Sequence, residues 1–297
     1  MAFLKAKNPN KIVESTGDRI LAAITTLIIL LILVVVGYPI LYVVSSSFSS
    51  ATAIRAGRVI LLPVEFCFDG YEFVFGREQV WVGFRNSVLY TLAGVSITMF
   101  LQIVCAYPLS KRYYQGGKGI MMYFFFTTLF GAGMIPNFIV KGIYMGLFLS
   151  PWAVLLTGAV GVSNVIILRT ALRSIPGELF DAASIDGAND FQTLVQIALP
   201  LVKATVSTLV LYSAVGCWNE YFNSMLYLRD ESLYPLQLIL RNLLFSTQMI
   251  NNPQIAQSGI EQMRYALIVV STVPVILFYF VVQKYFKKGV MIGSVKG

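Results

Sequence analysis

Long apolar runs separated by short polar stretches dominate the pattern of the chain. Six runs qualify, at residues 20–44, 86–109, 119–140, 151–168, 202–226 and 265–283. Each is long enough for a helix to cross the hydrocarbon core of a bilayer, which takes about 17–25 residues, although the fourth is near the lower limit. The pattern therefore predicts an all-α membrane protein with six transmembrane helices.

The first run begins directly after a basic segment, as a secretory signal would. It is too long for a signal-peptide core, however, and no small-residue cleavage site is evident. We expect it to be retained as the first span. Residues 1–19 are then a cytoplasmic segment, and residues 20–297 form a single transmembrane domain.

Composition supports a membrane protein and gives no sign of an enzyme. Hydrophobic residues make up 57% of the chain and charged residues only 12%, against about a quarter charged in soluble domains. The chain has no histidine, and Cys67, Cys105 and Cys217 lack the spacing of metal ligands. A membrane-embedded enzyme would need a nucleophile, base or metal set, and none is evident. We expect no metal and no cofactor bound by this chain.

The net charge of +8 lies on one predicted side of the membrane. Residues 1–19, 111–118, 169–203 and 284–297 together hold 14 of the 22 basic residues but only six of the 14 acidic ones. Basic residues favour the cytoplasmic side, so both termini are expected there. Membrane topology thus explains the charge, and no nucleic-acid partner is expected.

None of the six runs has a charged residue in its central part, since Lys141, Arg169 and Glu220 lie toward ends. Ion-coupled transporters usually place ionisable groups at membrane depth. A carrier without them needs energy from a partner. The alternative of a secondary transporter or channel for a small polar solute stays open at this point.

The predicted cytoplasmic stretch 169–203 has the signals of a helix–turn–helix. Ser174 is a candidate N-cap for a helix opening near Pro176. Gly187 supplies a left-handed stop, and a second helix can start near Asn189 or Asp190 and end at Pro200. We predict two short helices and a tight turn, held just below the membrane.

This stretch resembles the EAA loop of binding-protein-dependent ABC import permeases. Eight positions match that pattern at fixed spacing: Ala182, Ala183, Asp186, Gly187, Ala188, Ile197, Leu199 and Pro200. Asp181 stands where the family has Glu, and Leu194 where it has Phe. The stretches 130–140, 164–176, 218–228 and 234–240 are similar to the sugar-import branch, in particular to the second permease of oligo- and polysaccharide importers, related to the maltose-system inner permease.

The resemblance implies the fold of a type I importer permease in a bacterial cytoplasmic (inner) membrane. It implies a sister permease, two ATP-binding subunits that bind ATP and Mg, and an extracytoplasmic sugar-binding protein. The chain itself has no G-x-x-x-x-G-K-[ST] phosphate loop. The expected ATPase-coupling residues are Glu178, Asp181, Ala182, Ala183, Asp186, Gly187 and Ala188, with simple capping as the alternative role of Asp186.

Candidate substrate-pathway residues are amides and aromatic residues near span ends. Sugars present apolar faces and hydroxyl groups, which such side chains can bind. The candidates are Asn137, Asn164, Trp218, Asn219, Tyr221 and Asn223. Trp218 and Tyr221 are equally typical of an interfacial aromatic belt, and Asn164 of a bond between helices.

The two long predicted outer loops, 48–85 and 227–264, are candidate docking surfaces for the sugar-binding protein, or simple connectors. The predicted outer side holds eight basic and eight acidic residues. This balance leaves open whether the cargo is a neutral oligosaccharide or a uronate-bearing one, such as an alginate or aldouronate fragment.

Overall fold

The computed structural model describes residues 15–111, 113–245 and 260–293, with side chains up to residue 280. Most of the predicted N-terminal segment and the middle of the second predicted outer loop lie outside these residues. Within the described ranges the regular structure is helical, apart from one isolated antiparallel bridge between Ser49 and Phe66.

Fifteen α-helices follow one another along the described chain. They are α1 Thr16–Ser47, α2 Ala51–Arg55, α3 Asp69–Phe75, α4 Glu78–Ser110, α5 Gly117–Leu129, α6 Met134–Phe138, α7 Pro151–Leu156, α8 Val162–Arg173, α9 Gly177–Ile185, α10 Asp190–Gln192, α11 Leu199–Leu201, α12 Lys203–Trp218, α13 Phe222–Tyr227, α14 Leu236–Phe245 and α15 Ile260–Gly293. Two π-helical segments, Ile139–Tyr144 and Thr193–Ala198, continue α6 and α10, and Glu231–Leu233 is a 3₁₀ turn.

Three of these helices are long and apolar enough to cross a membrane by themselves: α1, α4 and the Glu261–Phe280 part of α15. None of the most apolar 18-residue stretch of α1 is buried. A helix that is apolar on every side and is not covered by other parts of its own chain is suited to a lipid environment. Helices α4 and α15 instead pack in the centre, α4 against α8 and α12, and α15 against α1, α3 and α12.

The remaining predicted spans are broken helices. The α5 helix meets the α6–π segment at 117°, and the α10–α11 segment meets α12 at 85°. The described residues thus contain three spans by length and composition, or five if each bent pair is one span. The predicted fourth span, 151–168, is divided between α7 and α8, with Gly158 in the break at a φ of +74°. Helix length and composition therefore do not establish that the chain has six transmembrane helices.

Two of the three apolar clusters in the described residues hold the central helices together. The α8 cluster has Leu168, Leu172 and Leu209 as its largest fully buried members and joins α4, α8 and α12. The α14 cluster surrounds Trp218 and joins α4, α12, α14 and α15. Burial of such side chains stabilises a fold by about 1.5–3 kcal/mol each in water. Between the two clusters along α4 and α12 lies a polar region.

Candidate translocation pathway and coupling loop

The first helix of the predicted coupling loop, α9, starts without a side-chain cap. Its N-cap residue is Pro176, at a φ of −55°. Ser174 instead ends α8, and its hydroxyl donates to the Ala171 carbonyl oxygen at 2.8 Å. The predicted Ser174 cap is therefore wrong. Pro176 has an extended ψ of 134° and is therefore the N-cap residue, so the helix starts one residue later, at Gly177, beyond the reach of Ser174.

The turn after α9 forms as the sequence predicts. Gly187 has a φ of +78°, and the Ala188 N–H donates to the Ala183 carbonyl oxygen at 2.9 Å. Asn189 then caps α10 and exchanges hydrogen bonds of 2.9 Å with Gln192. These two bonds form a capping box. A left-handed glycine and a capping box together fix the turn.

Helix α9 has one exposed and one buried side. Leu179, Ala182 and Ile185, three residues apart, are all exposed, and Ile185 is 86% exposed. On the other side Phe180 packs on the α8 cluster, and Ala183 is buried. Of the other predicted coupling residues, Ala188 is half-buried, whereas four are exposed: Glu178, Asp181, Asp186 and Gly187. Sequence reasoning missed Phe180, Ile185 and the exposed Phe191.

Lys111, just after α4, connects that helix to the loop. Its ammonium lies 4.3 Å from the centroid of the Phe180 ring and 3.7 Å from Asp190 Oδ1. Partial burial alone would lower the pKa of Lys111, but Tyr107 and Asp190 outweigh it and raise that pKa above its ordinary value. Lys111 is therefore charged at neutral pH. It holds α9 and the start of α10 against the end of α4.

A polar cavity of about 270 Å³ lies between α4, α7, α8 and α12. Its lining includes Gln102, Asn164, Ser213 and Glu220. Gln102 is fully buried, and neither polar atom of its amide has a hydrogen-bond partner within the described residues; the same holds for Ser213 Oγ. Unpaired polar groups at membrane depth cost several kcal/mol each. Such groups are tolerated where they line a path for a polar solute.

The amide nitrogens of Gln102 and Asn164 both lie near Gly161, the residue before α8. A methyl group placed on Gly161 would lie 3.5 Å from Asn164 Nδ2 and 3.7 Å from Gln102 Nε2. Two amides that approach the same space from α4 and α8 can bind neighbouring hydroxyl groups of one solute. The geometry therefore suits a polyhydroxylated ligand.

A second cavity of about 180 Å³ adjoins the first, and Thr157 lines both. Asn137, Lys141 and Asn223 lie in its wall. Asn223 donates to both carboxylate oxygens of Glu220, from its backbone N–H at 2.7 Å and from Nδ2 at 2.8 Å. The two cavities thus meet at Thr157 and at the Glu220–Asn223 pair.

The predicted substrate-pathway residues do not line one common cavity. Asn164 lines the first cavity, and Asn137 and Asn223 line the second. Tyr221 lines a third cavity, of about 500 Å³, between α14 and α15, and Asn219 is exposed at the end of α12. Trp218 is buried, and its Nε1–H donates to the Ser271 carbonyl oxygen at 3.0 Å.

Sequence reasoning overlooked Gln102, Ser213 and Lys141. A glutamine in the interior of the apolar run 86–109 was the available signal for Gln102, because such a residue seldom faces lipid. Across the described chain, no group of three or more Cys, Asp and Glu side chains is placed to hold a metal ion.

Proteins that are similar to this chain along most of its length are transport permeases. The chain is 37% identical over 264 residues to the polygalacturonan/rhamnogalacturonan transport system permease protein YtcP of Bacillus subtilis (strain 168), a match that covers 87% of this chain and 92% of the relative. The chain belongs to the permease proteins of ABC sugar transport systems. As an ABC permease it is a membrane protein that transports and does not catalyse a reaction. The alternatives of a membrane enzyme and of a secondary transporter are thereby set aside.

Further comparisons agree on the family and the fold. Protein LplC of the same organism is 34% identical over 263 residues, covering 87% of this permease and 89% of the relative. No protein-family model matches. A crystal structure of a bacterial ABC transporter involved in import of the acidic polysaccharide alginate superposes with a TM-score of 0.84 at 34% identity, covering 93% of this chain and 99% of that chain. The predicted all-α importer-permease fold is confirmed.

Proposed function

We propose that this permease imports an oligosaccharide across the cytoplasmic membrane of a bacterium and draws its energy from ATP-binding partner subunits. The observation that carries the proposal is the first cavity, which Asn164 lines and where both polar atoms of the Gln102 amide are buried without a hydrogen-bond partner among the described residues. A sugar can pair these groups during passage, which relieves the cost of leaving them unpaired.

The cargo that we propose is a uronate-bearing oligosaccharide. Support comes from the similarity to the polygalacturonan/rhamnogalacturonan permease and to the alginate transporter, each above 30% identity. The arabinooligosaccharide and diacetylchitobiose permeases are less similar, at 26% and 27% identity. A neutral oligosaccharide is the second candidate, because the predicted outer side balances its charges.

In the membrane we propose six crossings with both termini in the cytoplasm of the cell. The α5 helix with the α6–π segment would be the third crossing, α7 with α8 the fourth, and α12 the fifth. The excess of basic residues in 1–19, 111–118, 169–203 and 284–297 supports this orientation.

The proposed assembly contains a sister permease, two ATP-binding subunits that hold ATP and Mg, and an extracytoplasmic sugar-binding protein. A solved alginate ABC transporter bound to its pentasaccharide-loaded periplasmic protein has the same fold, with a TM-score of 0.57 at 15% identity. The outer loops 48–85 and 227–264 are the proposed docking surface for the binding protein.

Coupling, in this proposal, runs through α9 from the ATP-binding subunit to the helix bundle. The exposed side, with Ala182 and Ile185, would enter a groove of the ATP-binding subunit. The buried side, with Phe180 and Ala183, would carry its motion to α8 and to α4. Because interiors are close-packed, a shift of α9 moves the residues that it touches.

The decisive experiment measures ATPase activity of the complete transporter in liposomes, with a panel of sugar-loaded binding proteins. We expect stimulation by one loaded protein and its loss in the Gly187→Pro variant, because proline cannot adopt a φ of +78°. Gly187→Asn is the matched control, since asparagine tolerates the left-handed conformation, and it should keep most of the stimulation. Transport that follows an ion gradient without any ATPase response would overturn the proposal.

A further inference from the structure

The second cavity contains a lysine with no acidic partner. Lys141 lies in its wall beside Asn137 and Asn223. We propose that these three side chains form a subsite that binds a carboxylate group of the sugar in transit. The inference rests on the proposed import function and adds to it the group that selects an acidic cargo.

Within the part of the chain that the structure describes, the charge of Lys141 has no ion-pair partner. No carboxylate of the described residues lies within ion-pair distance of its ammonium, and Glu14 is the single acidic residue outside those ranges. Glu220 lines the adjoining cavity, outside ion-pair distance of the Lys141 ammonium. Both of its oxygens already accept hydrogen bonds from Asn223. A buried or half-buried cation without a partner favours an anionic ligand.

The two amides have hydrogen-bond donors left for that ligand. An amide nitrogen carries two N–H groups. Asn137 Nδ2 uses one toward the Gly133 carbonyl oxygen at 2.7 Å, and Asn223 Nδ2 uses one toward Glu220 Oε2 at 2.8 Å. The Asn137 and Asn223 amides therefore each keep a second N–H group that can donate to a ligand. A carboxylate has two oxygens with several acceptor positions, which suits one ammonium and two amide N–H groups.

The backbone around the subsite is held in place by aromatic contacts. Asn137 and Lys141 are four residues apart, at the junction of α6 with the π-helical segment. The Tyr227 hydroxyl donates to the Asn137 carbonyl oxygen at 3.3 Å, and the Tyr227 ring stacks on Phe138 at 5.5 Å. π-Helical turns occur frequently at functional sites. The wall that carries the cation is thereby fixed against α13.

The size of the cavity fits one group rather than a whole oligosaccharide. Its volume of about 180 Å³ is below the range of about 300–1,000 Å³ that is usual for ligand pockets. Thr157 lies in the wall of both this cavity and the one lined by Gln102 and Asn164. One carboxylate can therefore be held at Lys141 while neighbouring hydroxyl groups reach the amides of the larger cavity.

The test compares uptake of an oligogalacturonate with uptake of its carboxyl-reduced, neutral counterpart by the reconstituted transporter. We expect Lys141→Met to lower uptake of the acidic sugar at least tenfold and that of the neutral sugar less than twofold. Lys141→Arg, which keeps the charge, should retain most acidic uptake. Lys118→Met, at an exposed lysine of the 111–118 stretch, is the matched control and should change neither.

Equal losses for both sugars in Lys141→Met, or undiminished acidic uptake, would overturn the carboxylate subsite. A wild-type transporter that imports only the neutral sugar, with normal ATPase stimulation, would also refute the subsite and leave the import function intact. If no sugar-loaded binding protein stimulates the assembled ATPase, the import function fails, and the subsite fails with it.

Discussion

Gln102 and Gln262 are both fully buried, yet only Gln262 has hydrogen-bond partners. Gln262 Oε1 accepts from the Gly70 N–H at 3.1 Å, and Gln262 Nε2 donates to the backbone oxygen of Cys67 at 2.8 Å and to that of Ser47 at 3.2 Å. Gln262 thus joins α1, α3 and α15. Gln102, by contrast, lines the first cavity with a buried amide that has no hydrogen-bond partner among the described residues.

The two glutamines should respond oppositely to replacement by leucine. Gln262→Leu leaves several buried backbone groups unpaired, at about 1–3 kcal/mol each, and should lower the thermal stability of the purified protein markedly. Gln102→Leu removes an amide that has no partner in the described chain and should leave stability unchanged or raised, while sugar uptake falls. Thermal unfolding in detergent and uptake in liposomes check the pair. Destabilisation by Gln102→Leu would contradict the pathway role of that residue.

The contact of Lys111 with Phe180 should matter for coupling more than for assembly. Cation–π contacts contribute about 0.5–2 kcal/mol, so Lys111→Met should reduce stimulation of the ATPase by loaded binding protein by about twofold to tenfold. Co-purification of the ATP-binding subunits should be normal. Phe180→Leu should have a similar effect, because it keeps apolar packing and loses the ring face. Loss of co-purification would show instead that Lys111 acts in docking.

Close packing of α4 against α12 can be tested at Gly94. An alanine methyl group there would lie 2.8 Å from Cys217 Sγ. Overpacking of this kind usually costs about 1–3 kcal/mol, so Gly94→Ala should lower the unfolding temperature. Addition of Cys217→Ala should restore much of the loss, because it removes the clashing sulfur. If the two substitutions changed the unfolding temperature in a strictly additive way, that result would contradict a contact between residue 94 and Cys217 Sγ. Gly37→Ala, where nothing lies within 4 Å, is the control.

The capping box of the coupling loop predicts a local change in backbone protection. Asn189→Ala removes the acceptor for the Gln192 N–H and should destabilise the start of α10 by about 1 kcal/mol. Hydrogen exchange of residues 190–193 should then become several-fold faster, while exchange in α8 is unchanged. Asn189→Asp, which keeps an acceptor oxygen, should remain close to the parent protein.

The turn of the coupling loop was predictable from sequence because its determinants are local. Gly187 needs only its own freedom to adopt a positive φ, and Asn189 bonds a residue three positions away. The Ser174 cap failed for an equally local reason, since Pro176 already supplies the N-cap conformation. Hydrophobicity and length likewise located the apolar runs, although not the bends within them.

The role of Trp218 could not be predicted from its local sequence. An aromatic residue near the end of an apolar run is compatible with a substrate contact, an interfacial belt or a core. Its surroundings come from α4, α14 and α15, which lie far away in the sequence. Only the packing of those helices decides that its indole N–H meets the Ser271 carbonyl oxygen.

By itself, then, the sequence determined that the chain is an apolar helical membrane protein with a tight turn at Gly187, because hydrophobicity and turn chemistry act over a few residues. The prediction of an importer came from the resemblance of residues 181–200 to the EAA loop. The tertiary structure alone decided which polar side chains share a cavity. Gln102, Asn164 and Ser213 come from three separate helices, and Asn137, Lys141 and Asn223 from two further segments. Burial and pairing depend on neighbours that the chain brings together only when it folds.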